Sequence, residues 1–275
     1  MGFGPEGKDK FPFGKIEREQ LRQSYSEHSE ARVSEERSND PDDIYIIYDE
    51  PLSGYADSNF SLTFSPLLEH RGKTLRFFVE ESLEKKRGKA VGIEFGGPGS
   101  NLFAGFTRGF FAKTLGVALT DMRDLEKKSK DKEKHHSVLE GNIADLRTYE
   151  QVEEWLSGVK ADFIIERLAG GHILLPPDPY LLGQVFQRWY SLLSEEGLIV
   201  AQAKDWMRPV LMPWSELIKR ECKGTLEFDY KHGLGNQTDT FDAVLVHKLQ
   251  GAPDTLPILD ARTVREISKR WPSGV

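Results

Sequence analysis

The chain has 275 residues, 38% hydrophobic and 29% charged, with a formal net charge of −7 and a single cysteine, Cys222. That length suits one main core with extensions, the charge offers no whole-molecule attraction to nucleic acid while leaving a local basic patch open, and a lone cysteine forms no internal disulfide. No apolar run approaches the roughly 20 residues that span a bilayer, and the N-terminal stretch M-G-F-G-P-E-G-K-D-K lacks the apolar core of a signal peptide, so a cytoplasmic setting with no membrane partner is expected.

Residues 1–60 read as an N-terminal extension. As far as about position 43 they are rich in Gly, Glu, Arg, Ser and Asp, with few large apolar side chains after Phe13. Such a composition cannot offset chain entropy by burial alone, which leaves a disordered segment and a helix ordered by a partner both open. Asp43 to Glu50 (D-I-Y-I-I-Y-D-E) is short, apolar and aromatic, suited to docking on a domain or covering a pocket mouth. Between Leu62 and Lys86 the spacing of Leu67, Leu68, Leu75, Phe78, Val79 and Leu83 predicts helices with an apolar stripe.

Lys89 to Leu102 (K-A-V-G-I-E-F-G-G-P-G-S-N-L) reads as strand, tight turn and helix start. Glycines in such a turn supply positive φ and let a ligand approach the backbone, and the helix that follows offers unpaired N–H groups. Phe103 to Leu115 is expected as a helix and Val117 to Thr120 as a short buried strand ending at Asp121. Arg123 to His136 is a charged connector in which Lys127, Lys128, Lys130, Lys132 and Lys134 alternate with acids, a solvated helix or loop by one reading and an RNA-contacting patch by the other. His135 and His136 adjoin there without a spaced partner set, so no metal site is expected.

A strand over Ser137–Leu139, a helix over Thr148–Gly158 capped by Thr148, a strand over Asp162–Ile165, a helix over Leu181–Leu193 and a strand over Leu198–Ala201 continue the alternation. Strands alternating with helices at this spacing imply an open parallel sheet with helices on both faces. After a helix at Trp214–Lys223, the strands Thr225–Tyr230 and Phe241–Lys248 are joined by a loop, which cannot make a parallel crossover, so the last strand should insert antiparallel. The expected fold class is α/β, a doubly wound and mostly parallel seven-stranded sheet.

This order of elements resembles the class I, Rossmann-like, S-adenosylmethionine-dependent methyltransferases over about residues 61–250, with 251–275 left as a C-terminal tail. The pieces are V-G-I-E-F-G-G-P-G, L-T-D-M, L-E-G-N-I, A-D-F-I-I-E and L-S-E-E-G-L-I-V-A-Q, in that order. The resemblance implies S-adenosylmethionine as cofactor, cradled by Gly96, Gly97 and Gly99. It further implies Asp121 accepting both ribose hydroxyls, Glu94 attracting the amino group and sulfonium, Asn142 at the adenine edge, and Met122 and Ile143 sandwiching the ring. The turn departs from the family pattern at Pro98 and Ser100, where glycines are usual, and the fourth strand ends Ile165-Glu166-Arg167-Leu168, without the Asn/Asp-Pro-Pro-aromatic sequence of amino-methylating base enzymes. Candidate catalytic residues are Glu166, Arg167 and His172, which follow on that strand.

The methyl acceptor is a small molecule, a protein or RNA. Two other readings share parts of the pattern: a methyltransferase-like domain kept for binding or interaction, and a nicotinamide-dependent oxidoreductase, which the absence of a G-x-G-x-x-G register and the terminal strand pair disfavour.

Overall fold

In the computed structural model the described residues are 67–68, 74–118, 121, 123–143, 145–166, 179–203, 207–231, 242–259, 262 and 266. The expected N-terminal extension, Met122, Arg167 and His172 lie outside them. Thr74 caps the helix α1 (Leu75–Ser82), its hydroxyl accepting the Phe77 N–H at 3.3 Å, and Leu75, Phe78 and Val79 are the buried residues of that helix. There follow β1 (Ala90–Phe95), α2 (Ser100–Ala104), β2 (Phe111–Ala118), α3 (Leu125–Glu133), β3 (His136–Glu140), α4 (Leu146–Leu156), β4 (Ala161–Glu166), α5 (Pro179–Leu192), β5 (Leu193–Ala203), α6 (Arg208–Glu221), β6 (Leu226–Lys231) and β7 (Asp242–Lys248).

The strands form one seven-stranded sheet in the order β3-β2-β1-β4-β5-β7-β6. Pairings from β3 through β5 are parallel, while β7 lies antiparallel between β5 and β6. This is the Rossmann-like methyltransferase fold, with the last strand inserted antiparallel as the sequence predicts. The strand order reverses at β1, which has β2 on one side and β4 on the other, so the crevice outside the carboxyl ends of these strands is where such a sheet takes a ligand.

β1 and β4 are buried along their whole length, which is why they read as largely apolar runs; their acids are Glu94 near the end of β1, and Asp162 at the start and Glu166 at the end of β4. Alternate residues feed two cores. Phe95, Val117 and Ile164 pack with Tyr149 and Val152 of α4, Trp189 of α5 and Trp214 of α6. On the other face Phe163 and Ile165 pack with α1, Leu102, Phe106 and Phe110. Leu256 joins the first core, held by amide bonds in both directions to Gln187 at 2.7 and 3.1 Å.

Two local expectations are corrected. The helix expected over Phe103–Leu115 stops at Ala104; Gly109 turns the chain at φ 75°, and the run from Phe111 then pairs as β2. The cap of α4 is Asp145, whose side chain accepts the Arg147 N–H at 3.0 Å, while Thr148 sits inside the helix and is buried.

Candidate functional site

Gly96 and Gly99 take φ of 91° and 73°, values a side chain disfavours, and so let the chain reverse directly after Glu94-Phe95. The turn folds back on β2. The Gly96 N–H donates to Val117 O at 2.8 Å, and Pro98 lies against Gly116 so closely that a methyl group there would fall 2.0 Å from the Pro98 carbonyl oxygen. Beneath it lies the fully buried Glu94 side chain. Methyl groups on Gly97 and Gly99 would each come to 3.1 Å from one of its carboxylate oxygens, so the glycines and the acid fit as one unit.

His136, the first residue of β3, clamps the turn from the side. Its Nε2 lies 2.7 Å from the Pro98 carbonyl oxygen and its Nδ1 2.8 Å from Thr114 Oγ1. A carbonyl only accepts, so Nε2 carries the proton, and Nδ1 of the neutral ring accepts from the threonine hydroxyl. Burial is the largest influence on this imidazole and pushes it down to about 4, against the opposing pull of the Pro98 bond.

Asp121 stands just past the end of β2. Arg123 donates to both of its carboxylate oxygens, from Nε at 2.9 Å and Nη2 at 3.0 Å, and Lys128 approaches to 3.3 Å. Arg123 itself is held from behind by Asp131 of α3 at 2.7 Å, and the Asp121 N–H donates to Glu140 at the end of β3 at 2.9 Å. Burial pushes the Asp121 carboxyl up, yet the guanidinium more than offsets it and holds the group below its ordinary value, hence ionised. Asn142 is half-buried beyond β3, and Ile143 is buried in the α4 core, its carbonyl accepting the Tyr149 hydroxyl at 2.7 Å.

Register separates the two strand-end glutamates. Glu94 pairs with Ile165 and Phe95 with Glu166 across β1 and β4, so Glu94 shares the face of the α1 core and Glu166 that of the α4–α6 core. Both side chains are fully buried.

No protein-family model matches the chain, and no curated protein matches it. Among solved structures it is similar to an rRNA methylase from Streptococcus thermophilus at 11% identity, covering 63% of this chain and 95% of that one with a TM-score of 0.44. It is similar to the magnesium protoporphyrin IX methyltransferase ChlM from Synechocystis PCC 6803 with bound SAM at 11% identity, covering 80% and 97% with a TM-score of 0.43. For the N-methyltransferase NodS from Bradyrhizobium japonicum WM9 the identity is 12%, the coverage 64% and 94%, and the TM-score 0.40.

One group at the same sheet edge has no counterpart in the sequence reading. Asp242, fully buried at the start of β7, accepts a hydrogen bond from the Tyr230 hydroxyl at the end of β6, and Nε of Arg208, the first residue of α6, lies 3.1 Å from Tyr230 Oη and 3.3 Å from Asp242. Because Glu166 pairs with Ala201, Ala201 with Val244, and Val244 with Tyr230, these side chains share one face. Ala201 and Ala203 of β5 lie between Glu166 and Asp242 on that face, both fully buried. The three residues come from separate elements, so no local spacing in the sequence announces them.

Proposed function

We propose that the protein is an S-adenosylmethionine-dependent methyltransferase, with the cofactor at the carboxyl ends of β1 and β2 and the acceptor over β4, β5 and β7. The observation that carries this reading is the turn Gly96–Gly99 seated on Gly116 of β2, the strand that leads to the ionised Asp121. Turn and acid thereby flank one crevice at the point where the strand order reverses.

The residues present fit a cationic adenosyl ligand. Carboxylates of Glu94, Asp121, Glu140, Glu166 and Asp242 stand at one edge of the sheet, Asp121 paired with Arg123 and Asp242 with Arg208, and offer acceptors to a cationic adenosyl ligand. An ionised Asp121 accepts hydroxyl protons and repels a phosphorylated ribose. When bound, the cofactor supplies an electrophilic methyl group on a sulfonium. The chain's share is orientation and proton handling: Asp121 takes the ribose hydroxyls, Asn142 the adenine edge, and Met122 and Ile143 the flanks of the ring. Glu166 orients the acceptor and takes the proton that its oxygen or nitrogen releases, with Arg167 and His172 contributing from the segment after β4. The acceptor itself is a small molecule, a protein or RNA.

Incubating the protein with methyl-labelled S-adenosylmethionine and fractionated cell extract tests the assignment; label transferred to one fraction supports it, and no transfer to any fraction by a protein that also fails to bind the cofactor removes it. A second reading, a methyltransferase-like fold used for binding or interaction, is favoured by one observation: Arg123 already holds both oxygens of Asp121. Binding of the cofactor without transfer to any fraction would favour that reading.

A further inference from the structure

α2 is only five residues long and α3 buries a single side chain, Asp131, so the α1–α3 face of the sheet is left without an apolar lid over β2 and β3. A cavity of about 530 Å³ lies there, toward the amino ends of β2 and β3. Its walls are aromatic. Phe111 meets Phe103 edge-on at 5.2 Å and 78°, and Phe106 at 5.1 Å and 86°. Phe103 and Phe111 remain partly exposed, so the herringbone is open on one side to another ring.

The rim is cationic. Arg108 and Lys134 border the cavity, both are exposed, and among the described residues neither side chain is ion-paired. Asp131 also lines it, but its carboxylate is held by Arg123 at 2.7 Å, and the nearby His136 is neutral through its bonds to Thr114 and Pro98. A ring-lined volume of this size with two exposed positive charges at its mouth is complementary to a flat apolar body carrying one negative group. In a chain of net charge −7, Arg108 and Lys134 at the rim offer an anion a local attraction that the molecule as a whole does not.

We propose that this cavity is a second ligand site, for a small aromatic carboxylic acid, its ring lying among Phe103, Phe106 and Phe111 and its carboxylate between Arg108 and Lys134. The ligand need not be the methyl acceptor, because the cavity stands on the opposite face of the sheet from Glu166, although Ser100 and His136, which line it, also adjoin the glycine turn.

Calorimetric titration of the full-length protein with 2-naphthoate, and separately with the neutral 2-naphthamide, tests the proposal. One-to-one binding of naphthoate is expected, at least about tenfold tighter than that of the amide, the scale of losing a hydrogen bond to a charged partner. The R108E/K134E double variant, altered only at exposed side chains, should melt like the wild type and bind naphthoate at least about tenfold more weakly. Ala104→Trp, which fills the cavity from α2, should abolish binding, and a saturating amount of S-adenosylhomocysteine should leave naphthoate binding in place. Equal affinity for acid and amide, unchanged affinity in the double variant, or displacement by S-adenosylhomocysteine would overturn the proposal.

Discussion

Arg123 grips Asp121 by both carboxylate oxygens, at 2.9 and 3.0 Å, while Asp131 holds the other end of the same guanidinium at 2.7 Å. One buried cation thus serves two acids, and its removal would leave both without their common partner. Arg123→Met is expected to destabilise the fold by about 3–5 kcal/mol, the scale of breaking a buried pair by removing one side. Urea unfolding checks this; a loss below about 1 kcal/mol would reduce the chain Asp121–Arg123–Asp131 to a surface contact.

His136 makes stability depend on pH. Its folded value of about 4 lies below the ordinary 6.5, so the unfolded chain binds the proton more tightly and stability rises with pH across that interval. The contribution is fully present above about 6.5 and is lost as pH falls toward 4, amounting to roughly 3 kcal/mol. His136→Gln should flatten this part of the stability curve. Parallel curves for wild type and variant between those pH values would show that the imidazole does not carry the dependence.

Gly116 is the seat of the glycine turn. A methyl group there would meet the Pro98 backbone at 2.0 Å, a distance that no side-chain adjustment relieves. Gly116→Ala should therefore push the turn off β2 and weaken S-adenosylhomocysteine binding at least about tenfold, since the cradle depends on the turn's position. Retained affinity in a folded variant would detach the turn from the binding site.

For Glu166 the expected effect is on turnover. Glu166→Gln preserves volume, so the melting temperature and cofactor affinity should stay close to wild type while methyl transfer falls about 10²-fold or more, the scale of acid–base catalysis. A loss of activity matched by a lower melting temperature would assign the residue to the architecture of β4.

The sheet was legible because parallel central strands are buried on both faces and therefore run largely apolar, as Ala90–Phe95 and Ala161–Glu166 do apart from Glu94, Asp162 and Glu166. The antiparallel β7 was legible in the stretch between it and β6, which has too few residues for a parallel crossover. The segment after the glycine turn departs from its pattern for a physical reason: Phe103, Phe106 and Phe110 fall at helical spacing, but they meet as one aromatic cluster because Gly109 turns the chain between α2 and β2. Contacts between remote residues left no trace in local pattern. His136 with Pro98, Arg123 with Asp131, and Arg208 with Tyr230 and Asp242 become visible only once the strands are in register.

The central claim is that the crevice between the glycine turn and Asp121 holds S-adenosylmethionine. Calorimetric titration of the full-length protein with S-adenosylhomocysteine, beside the same titration of Asp121→Ala, tests it most directly. One-to-one binding by the wild type, weakened by about 1.5–3 kcal/mol in the variant, is the predicted result. Heat of binding absent from the wild type at millimolar ligand, or equal affinities for the two proteins, would contradict it.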